Sequence, residues 1–419
     1  MDRNKLRQVI IDQQEEFNKS EELIDRDLNI DYFLKGNEIV IISGIRRCGK
    51  SSLLKIISKK INGNKLFLNF DDIRLTDFTT DNFQDIKAIA HEIFNDKNIT
   101  YFLDEVQNAD NWERWVNNLY SKNIKVFVTG SNSKLLSSEI STYLTGRNKV
   151  IKLYPFSFRE FLRYHNINKT KNLTTEEKNE IFREFLDYFE IGGFPCIIKN
   201  NDINLSKQYF EDIFNKDVLN RYQIKQIKEI KDLILYLFSN SGRTYSYSTL
   251  KQITKIKSLS TIKNYIDFFK NVFLLYTIEK FDYSLKKQKI SSSKVYIADN
   301  SFFKTISFNF SENKGKRLEN LVFLELIRRE REVYYHFDKK ECDFVIKGGL
   351  KVTHAIQVSL ELDDLRTRKR EIDGLMDTMK KYNLKQGHIL TLEEEETITK
   401  GKKKIFVMPV WKWLLGTNV

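Results

Sequence analysis

A chain of 419 residues is longer than one ordinary hydrophobic core requires, so we expect roughly two to four domains. The net charge of +13, from 70 basic and 57 acidic residues, favours an anionic partner such as nucleic acid, although a lysine-rich composition throughout the chain would give the same value. The widely spaced Cys48, Cys196 and Cys342 predict neither a zinc site nor a disulfide framework, and no apolar run reaches transmembrane length, so we expect a cytoplasmic protein.

The segment from Glu38 to Leu54 predicts a buried strand, a phosphate-binding loop and a helix in succession. Glycines in such a loop let the backbone turn its N–H groups toward phosphates, and the following helix presents its positive N-terminus. We expect Lys50 to bind the β- and γ-phosphates of ATP, and the Ser51 hydroxyl to ligate Mg²⁺. The pattern G-x-x-x-x-G-K-[ST] is matched without a mismatch, and the residues expected to contact the nucleotide are Gly44, Ile45, Arg46, Arg47, Cys48, Gly49, Lys50, Ser51 and Ser52.

Helices and strands alternate around this loop. Residues 1 to about 35 have a helical pattern that leads into the first strand. After the loop and its helix the pattern gives strand, helix and strand, at Lys65–Phe70, Phe83–Phe94 and Ile99–Leu103. This order favours parallel strands joined by helical crossovers, which is the α/β class.

Two acidic residues, Asp104 and Glu105, come directly after the third predicted strand. A phosphate loop alone only binds a nucleotide, because hydrolysis also needs a carboxylate for the metal and a group that positions water. We expect Asp104 to reach Mg²⁺ through its water shell and Glu105 to accept a proton from the attacking water.

A fourth predicted strand, Lys125–Thr129, ends in a polar turn. Ser131 or Asn132 in this turn is expected to orient the attacking water or to contact the γ-phosphate, which would complete the pocket. The alternative is an ordinary polar turn after a strand.

Three arginines are candidates for contacts with the phosphates. Arg46 and Arg47 are unusual basic residues for such a loop, and at least one is expected to neutralise phosphate charge or to bridge to another domain. Arg147 has the delocalised charge that an arginine finger needs and could act on a neighbouring copy's nucleotide. It could equally be a surface arginine before a strand, and the sequence does not assign it to cis or trans.

The middle of the chain is mostly helical. Residues 156 to about 220 are interrupted by the turn residues Gly192, Gly193 and Pro195, which predicts a helical lid with a bend. Three helical segments and then two apolar runs follow, a winged-helix pattern whose third helix could enter a major groove. They are Ile227–Ser239, Ser248–Thr254 and Ser260–Lys270, then Val272–Glu279 and Val295–Ala298 on either side of the basic Lys286, Lys287 and Lys289.

The final part of the chain alternates between a helix and short strands. Its predicted elements are the helix Glu319–Glu330 and strands at Val333–Phe337, Phe344–Ile346, Ala355–Val358, Gln386–Leu392 and Ile405–Pro409. This pattern predicts a mixed α/β unit with its own core.

A set of motifs carries a family resemblance: GIRRCGKSS, NITYFLDEVQ, VFVTGSN, LTGR, LYPFSFREFL and GGFP. Together they resemble prokaryotic AAA-type ATPases with an AAA_14-like core whose C-terminal half contains a region of unknown function, DUF4143. The resemblance implies a P-loop NTPase sheet of AAA+/ASCE type with an extra strand between the Walker strands, a helical lid, a winged-helix domain and a C-terminal domain of restriction-endonuclease type. The corresponding boundaries are 1–155, 156–220, 221–312 and 313–419.

The resemblance also directs attention to a second possible site at Glu319, Asp343 and Gln357. Nucleases of that fold gather Mg²⁺ with acidic residues and use a Glu-x-Lys pair, but this chain has Gln357 and Ser359 at the two positions. We therefore expect a non-catalytic fold used for binding, with an active nuclease as the alternative. The basic residues from Arg366 to Arg370 could bind phosphates nearby or form one solvated helix face, and the five histidines show no ligand spacing.

The sequence thus predicts an Mg²⁺-dependent ATPase that couples its nucleotide state to movement of the winged-helix and C-terminal domains. Its partner is expected to be nucleic acid or a protein, without a membrane, and an oligomer is possible. The alternatives are a slow, nucleotide-controlled adaptor that binds nucleic acid without significant turnover, and an ATP-gated nuclease.

Overall fold

A computed structural model describes residues 1–96, 98–133, 146–306 and 314–416 of the chain. The chain divides into two compact units, Met1–Tyr154 with Asn271–Phe273, and Pro155–Lys270 with Leu274–Val419. This division falls beside the predicted end of the ATPase core at residue 155. The remaining domain boundaries stay predictions, and the one at residues 312 and 313 lies outside the described residues. Within the described ranges, no helix is both long enough and apolar enough to cross a membrane.

The first unit is built on a parallel sheet. Its described strands are β1 (Ile39–Ser43), β2 (Asn64–Asn69), β3 (Ile99–Asp104), β4 (Val126–Gly130) and β5 (Asn148–Lys152). Their order is β2-β3-β4-β1-β5, and every neighbouring pair is parallel. The predicted α/β class of this unit is confirmed, and β4 lies between β1 and β3, where the resemblance implied an extra strand.

Helices cover the sheet and make its core. In the described part of the unit they are α1 (Arg3–Asn18), α2 (Ile30–Leu34), α3 (Lys50–Lys59), α4 (Asn82–Phe94) and α5 (Trp112–Ser121). Apolar side chains of α1, α4 and α5 pack with the strands in one cluster, in which Ile39, Leu103 and Val128 are inaccessible to solvent. Strands covered in this way read as continuous apolar runs, which is why the sequence located them.

The predicted continuous helix over residues 1 to about 35 is wrong, because the chain is not helical between α1 and α2. The buried side chain of Arg26 lies in this segment and donates hydrogen bonds to the carbonyl oxygens of Cys48 and Tyr154, at 3.1 and 2.6 Å. A buried guanidinium needs fixed acceptors. The irregular segment places the Arg26 guanidinium against the Cys48 carbonyl oxygen of the phosphate loop. This contact stabilises the loop.

The second unit begins with helices. They are α6 (Phe158–Tyr164), α7 (Thr175–Ile191), α8 (Pro195–Asn200) and α9 (Leu205–Asp212), followed by a π-helical segment at Ile213–Asn220. The predicted interruption lies between α7 and α8: Gly192 has φ 77, and Pro195 starts α8. Asp299 holds this turn by accepting a hydrogen bond from the Gly193 N–H at 2.8 Å.

Helices and a small antiparallel sheet follow. The helices are α10 (Ile227–Ser239), α11 (Tyr247–Thr254), α12 (Leu259–Asn271), α13 (Leu285–Ile290) and α14 (Ser301–Thr305), and the strands β6 (Thr244–Tyr245), β7 (Leu275–Ile278) and β8 (Ser293–Ile297) pair in the order β6-β8-β7. The basic residues Lys286, Lys287 and Lys289 lie on the helix α13, between β7 and β8. The winged-helix assignment itself stays a prediction.

The last part of the unit forms a mixed sheet with helices α15 (Lys314–Arg328), α16 (Leu365–Lys381) and α17 (Val410–Leu415). Its described strands are β9 (Glu332–Phe337), β10 (Glu341–Gly348), β11 (Lys351–Val358), β12 (Gln386–Thr391), β13 (Glu396–Lys400) and β14 (Lys403–Pro409), in the order β13-β14-β12-β11-β10-β9. β11, β12 and β14 are parallel neighbours, and the other pairs are antiparallel. The sequence analysis missed β13, a largely polar edge strand.

Replacement of two helical glycines by alanine should have opposite effects on the stability of the fold. A Cβ on Gly374 in α16 would lie 2.5 Å from the Glu341 carbonyl oxygen, whereas the nearest atom to a Cβ on Gly315 in α15, the Leu360 Cγ, is 4.0 Å away. Gly374→Ala should therefore destabilise the fold by ~1–3 kcal/mol through overpacking. Gly315→Ala should be neutral or stabilise it by up to ~1 kcal/mol through helix propensity. Thermal unfolding of both variants checks this, and a Gly374→Ala midpoint at or above that of Gly315→Ala would contradict the packing described.

Candidate nucleotide site

The ends of three neighbouring strands bring the predicted residues together. The phosphate loop follows β1, Asp104 ends β3, and Gly130 ends β4. Parallel strands place their carboxyl ends at one edge of the sheet, where the N-terminus of α3 also lies because that helix begins at Lys50. A single edge therefore carries the loop, the acidic pair and the turn after β4.

Backbone geometry of the loop suits phosphate binding. A Cβ on Gly44 would overlap the carbonyl oxygen of Leu153, so the site has no room for a side chain there. Gly49, which precedes α3, has φ 100, a value that favours glycine. Arg47 also has a left-handed backbone, with φ 72, which is uncommon for a residue other than glycine.

The Lys50 ammonium is buried and faces Glu105. Its Nζ lies 3.2 Å from Glu105 Oε1 and donates hydrogen bonds to the carbonyl oxygens of Gly44 and Ile45, at 3.2 and 3.4 Å. Burial alone would lower the pKa of Lys50, but the neighbouring Glu105 and Asp104 carboxylates raise it above its ordinary value. Lys50 therefore stays charged, with carbonyl and carboxylate oxygens in the places that phosphate oxygens would take.

Asp104 is held by two hydroxyl groups. Ser51 Oγ donates to Asp104 Oδ2 at 2.6 Å, and Thr129 Oγ1 donates to the other carboxylate oxygen. The same Thr129 hydroxyl accepts a hydrogen bond from the Glu105 N–H at 3.0 Å, so one side chain orients both acidic residues. Ser51 and Asp104, the two residues predicted to serve Mg²⁺, are thus neighbours.

The two carboxyl groups have different electrostatic environments. Burial and then the negative charge of Glu105 raise the pKa of Asp104. Burial would also raise the pKa of Glu105, but the Lys50 ammonium and a 2.5 Å hydrogen bond from Gln107 lower it to about 2. Glu105 is consequently ionised at neutral pH, which is the state that a general base needs.

The structure brings other predicted residues to this edge. Ser131 and Asn132 are buried in the turn after β4, and the Asn132 carbonyl oxygen accepts a hydrogen bond from Ser43 Oγ at 3.3 Å. Arg46 Nη1 lies 3.2 Å from Asp71 Oδ2, and Asn108 donates to the other oxygen of Asp71 at 3.2 Å. No role of Ser131 or Asn132 toward water follows from these contacts, so that part stays a prediction.

Arg147 is not brought to this edge. Its carbonyl oxygen accepts from the N–H of Ile39, the first residue of β1, whereas the phosphate loop follows the last residue of β1. Its guanidinium donates to Asn117 at 2.7 Å and lies over the Tyr120 ring. The five-residue length of β1, about 15 Å, separates Arg147 from the loop of its own chain. A role in trans stays a prediction, and Leu144 and Thr145 of the LTGR motif lie outside the described residues.

Sequence reasoning missed Thr129, Asp71, Gln107 and Asn108. Thr129 carried a usable signal, because it is the polar residue at the end of an otherwise apolar strand. Asp71 likewise is the second residue after β2. Gln107 and Asn108 follow the acidic pair in a short 3₁₀ turn, and their contacts with Glu105 and Asp71 depend on the fold and not on a motif.

These side chains fit a nucleoside triphosphate with Mg²⁺. Position 44 of the loop has no space for a side chain larger than that of glycine. Lys50 supplies a buried cation for phosphate oxygens. Ser51 and Asp104 supply the oxygen ligands that Mg²⁺ prefers in proteins, alongside waters and phosphates. When bound, the metal would neutralise part of the phosphate charge.

A second group of buried charges lies in the other unit, at the residues that the resemblance singled out. Lys294 of β8 is 1% exposed, and its Nζ lies 3.2 Å from both Glu319 Oε1 and Asp343 Oδ1, and 2.5 Å from Glu341 Oε1. Lys316 Nζ contacts the other oxygen of Glu319 at 2.6 Å. An ammonium group therefore occupies the space between Glu319 and Asp343.

Hydrogen bonds complete this buried cluster. Tyr296 donates to Glu319 at 2.8 Å, and the Val358 N–H donates to Asp343 Oδ2 at 3.0 Å. Burial and the Glu319 charge raise the pKa of Asp343 to about 7. Gln357 donates to Glu371 and accepts from the Asp343 N–H at 3.2 Å. Gln357 thus forms two hydrogen bonds, and its amide supplies no negative charge to the cluster.

The fold and the site together define a P-loop domain of AAA type. A family model for the AAA domain, AAA_14, matches residues 36–162, which span the whole nucleotide site. The second model that matches, at residues 182–313, is a domain of unknown function, DUF8612. A DUF4143 region in the C-terminal half, which the resemblance implied, stays a prediction.

Relatives along the whole chain establish the family. The chain is 37% identical to the uncharacterized protein MJ1544 of Methanocaldococcus jannaschii, over 97% of this chain and 94% of that protein. It is 31% identical to an uncharacterized protein of Haemophilus influenzae, over 90% of this chain and 94% of that protein. The chain therefore belongs to the family of AAA-domain proteins that includes these two relatives.

Similarity to solved structures is more distant. The Holliday junction branch migration motor RuvB of Thermotoga maritima is 13% identical, with 60% of this chain and 89% of that chain covered and a TM-score of 0.29. Cdc6p of Pyrobaculum aerophilum is 10% identical, with 68% and 93% covered and a TM-score of 0.26. Similarity this low carries no argument about function.

Removing the buried Lys294 ammonium should leave the carboxylates of the second cluster without compensation of their negative charge. Lys294→Met leaves Glu319, Asp343 and Glu341 without their shared cation, so it should destabilise the fold by ~3–5 kcal/mol at pH 8. Lys294 lowers the pKa values of Glu319 and Asp343, so without it both rise and the folded chain holds protons that the unfolded chain releases. The loss should consequently grow from pH 5 to pH 8.

Unfolding midpoints at both pH values measure this loss. Lys289→Met is the matched control, because Lys289 is exposed, pairs with Glu279 at 2.7 Å and should contribute little. A Lys294→Met variant as stable as this control at pH 8 would contradict the cluster described.

Proposed function

We propose that the chain binds ATP with Mg²⁺ at the described edge of the first sheet and hydrolyses it. The observation that carries the proposal is the joint placement of Lys50, Ser51, Asp104 and Glu105, with the buried Lys50 ammonium 3.2 Å from Glu105. Ion pairs of this kind are exchangeable because phosphate oxygens can replace the carboxylate around the ammonium. Exchange frees Glu105 to face a water molecule.

In the proposed reaction, a water oxygen forms a bond to the γ-phosphorus as the bond between that phosphorus and the oxygen retained by ADP breaks. Glu105 takes a proton from the water, and phosphate leaves with the remaining atoms. Asp104, oriented by Ser51 and Thr129, is suited to hold the magnesium water shell. Lys50 offsets negative charge on the β- and γ-phosphates.

We further propose that nucleotide state controls the second unit, and that this unit binds nucleic acid. Five exposed lysines between residues 251 and 270, on α11, α12 and the turn between them, support this partner: Lys251, Lys255, Lys257, Lys263 and Lys270. The same stretch has one acidic residue, Asp267. A winged-helix domain would present such a helix to a nucleic-acid groove.

Two other candidate functions rank lower. A slow adaptor would hold intact ATP over many minutes, so single-turnover hydrolysis separates it from an ATPase. A nuclease in the C-terminal part is disfavoured because Lys294 occupies the space between Glu319 and Asp343, and because Gln357 and Ser359 replace the acid and the lysine. Incubation with DNA or RNA and Mg²⁺ or Mn²⁺ should leave both substrates intact.

Steady-state phosphate release tests the ATPase. Lys50→Ala should abolish turnover because the phosphates lose their buried cation, and Glu105→Gln should lower kcat by about 10²–10⁴-fold while ATP still binds, because an amide cannot accept the proton. Lys55→Ala is a control on the same helix, since Lys55 pairs with Glu21 away from the acidic pair. Unchanged turnover in Lys50→Ala would refute the assignment of this site.

Nucleic-acid binding should depend on salt and on two lysines, Lys257 in the turn before α12 and Lys263 on α12. Each phosphate contact contributes about −0.9 to the slope of log affinity against log salt, so the double substitution Lys257→Ala and Lys263→Ala should weaken binding and make the slope less negative by up to ~2. Fluorescence anisotropy with a labelled duplex at several salt concentrations measures both quantities. The matched control replaces Lys171 and Lys178, exposed lysines elsewhere in the unit. A wild-type slope near zero would favour a protein partner.

A further inference from the structure

Arg46 is an arginine of the phosphate loop whose side chain is mostly buried. It lies in the phosphate loop between Gly44 and Lys50, and its side chain is 13% exposed. Its guanidinium contacts Asp71, the second residue after β2, at 3.2 Å. Because β2 and β3 are parallel neighbours, this contact lies at the same edge of the sheet as Asp104 and Glu105.

The surroundings of Arg46 connect it to the proposed catalytic base. Asp71, which holds Arg46, is fixed in turn by Asn108 at 3.2 Å. Asn108 belongs to the turn that begins directly after Glu105. The guanidinium is therefore held beside the residues that would face the γ-phosphate.

The ion pair with Asp71 is one that a nucleotide could replace. The Asp71 side chain is 42% exposed, and ion pairs open to water contribute little to stability. A triphosphate offers more negative charge and two oxygens for the guanidinium fork. The same exchange that we propose for Lys50 is thus available to Arg46.

Other arginines of the unit are committed elsewhere. Arg147 lies at the opposite edge of the sheet, beside the first residue of β1. Arg26 donates to main-chain carbonyl oxygens behind the loop, and Arg74 pairs with Asp12 and Asp72. Arg47 shares the loop but is exposed. Arg46 is consequently the best placed of these to reach the phosphates within one chain.

We propose that Arg46 is a catalytic residue supplied in cis, which leaves Asp71 and binds γ-phosphate oxygens when ATP occupies the loop. Its charge would stabilise the transition state as negative charge moves between the γ-phosphate and ADP, in the role that an arginine finger has elsewhere. This inference rests on the proposed ATPase function. One consequence is that turnover per chain does not require an arginine from a second copy.

The test compares kcat and KM of the full-length chain and its variants in Mg²⁺ and ATP. Arg46→Ala should lower kcat by about 10³-fold, the scale of an arginine finger, and Arg46→Lys by about tenfold or more, because an ammonium lacks the fork. Asp71→Asn should separate catalysis from structure: it removes the resting partner, so KM should fall while kcat stays far above that of Arg46→Ala. Arg3→Ala is the matched control, since Arg3 forms an exposed pair with Glu92.

Several outcomes would overturn the inference. If Arg46→Ala and Arg46→Lys keep wild-type kcat while Lys50→Ala is inactive, the ATPase proposal stands and the role of Arg46 is wrong. If Asp71→Asn loses as much kcat as Arg46→Ala, the ion pair is merely structural. Loss of activity in Arg147→Ala, together with a wild-type rate per chain that rises with protein concentration, would place the arginine in trans. If the wild type does not turn over ATP, both proposals fall.

Discussion

The nucleotide site depends on the contact between the Lys50 ammonium and the Glu105 carboxylate. Both groups are buried, and an uncompensated charge at either position would cost several kcal/mol. Their 3.2 Å contact, with two loop carbonyl oxygens around the same ammonium, compensates both charges within the chain. Under the proposed function, a triphosphate would have to displace this contact when it binds.

The second unit also contains buried carboxylates whose charge is compensated by a buried lysine. Glu319 and Asp343 are buried together, and the cation that compensates them, Lys294, comes from a strand and not from a loop. Lys316 and the Val358 N–H satisfy the remaining carboxylate oxygens, and Tyr296 donates to the Glu319 oxygen that Lys294 also contacts. Because these donors are built into β8, α15 and β11, exchange with a ligand would unmake the packing between those elements. The charge of these buried acids is thus compensated by a lysine that belongs to the fold itself.

Much of the first unit could be predicted from its sequence because the loop pattern and the apolar strand runs each lie within a short stretch of the chain. The loop pattern fixes the chemistry of Gly44 to Ser51 by spacing alone, and buried parallel strands are continuous apolar runs that end in their functional residues. The break between α1 and α2 could not be predicted, since it depends on acceptors for Arg26 that lie far along the chain. The position of Lys294 among three acids depends in the same way on contacts between distant segments. The position of Arg147 likewise depends on the fold, because the direction of β1 places it at the other edge of the sheet from the loop of its own chain.

The central claim is that Lys50 exchanges Glu105 for phosphate when a nucleotide binds. Equilibrium binding of a non-hydrolysable ATP analogue with Mg²⁺ to Glu105→Gln and to the wild type tests it most directly. A neutral amide competes poorly for the ammonium and repels phosphate less, so we predict binding that is tighter by about threefold or more. Equal or weaker binding by Glu105→Gln, in a variant that unfolds at the wild-type temperature, would contradict it.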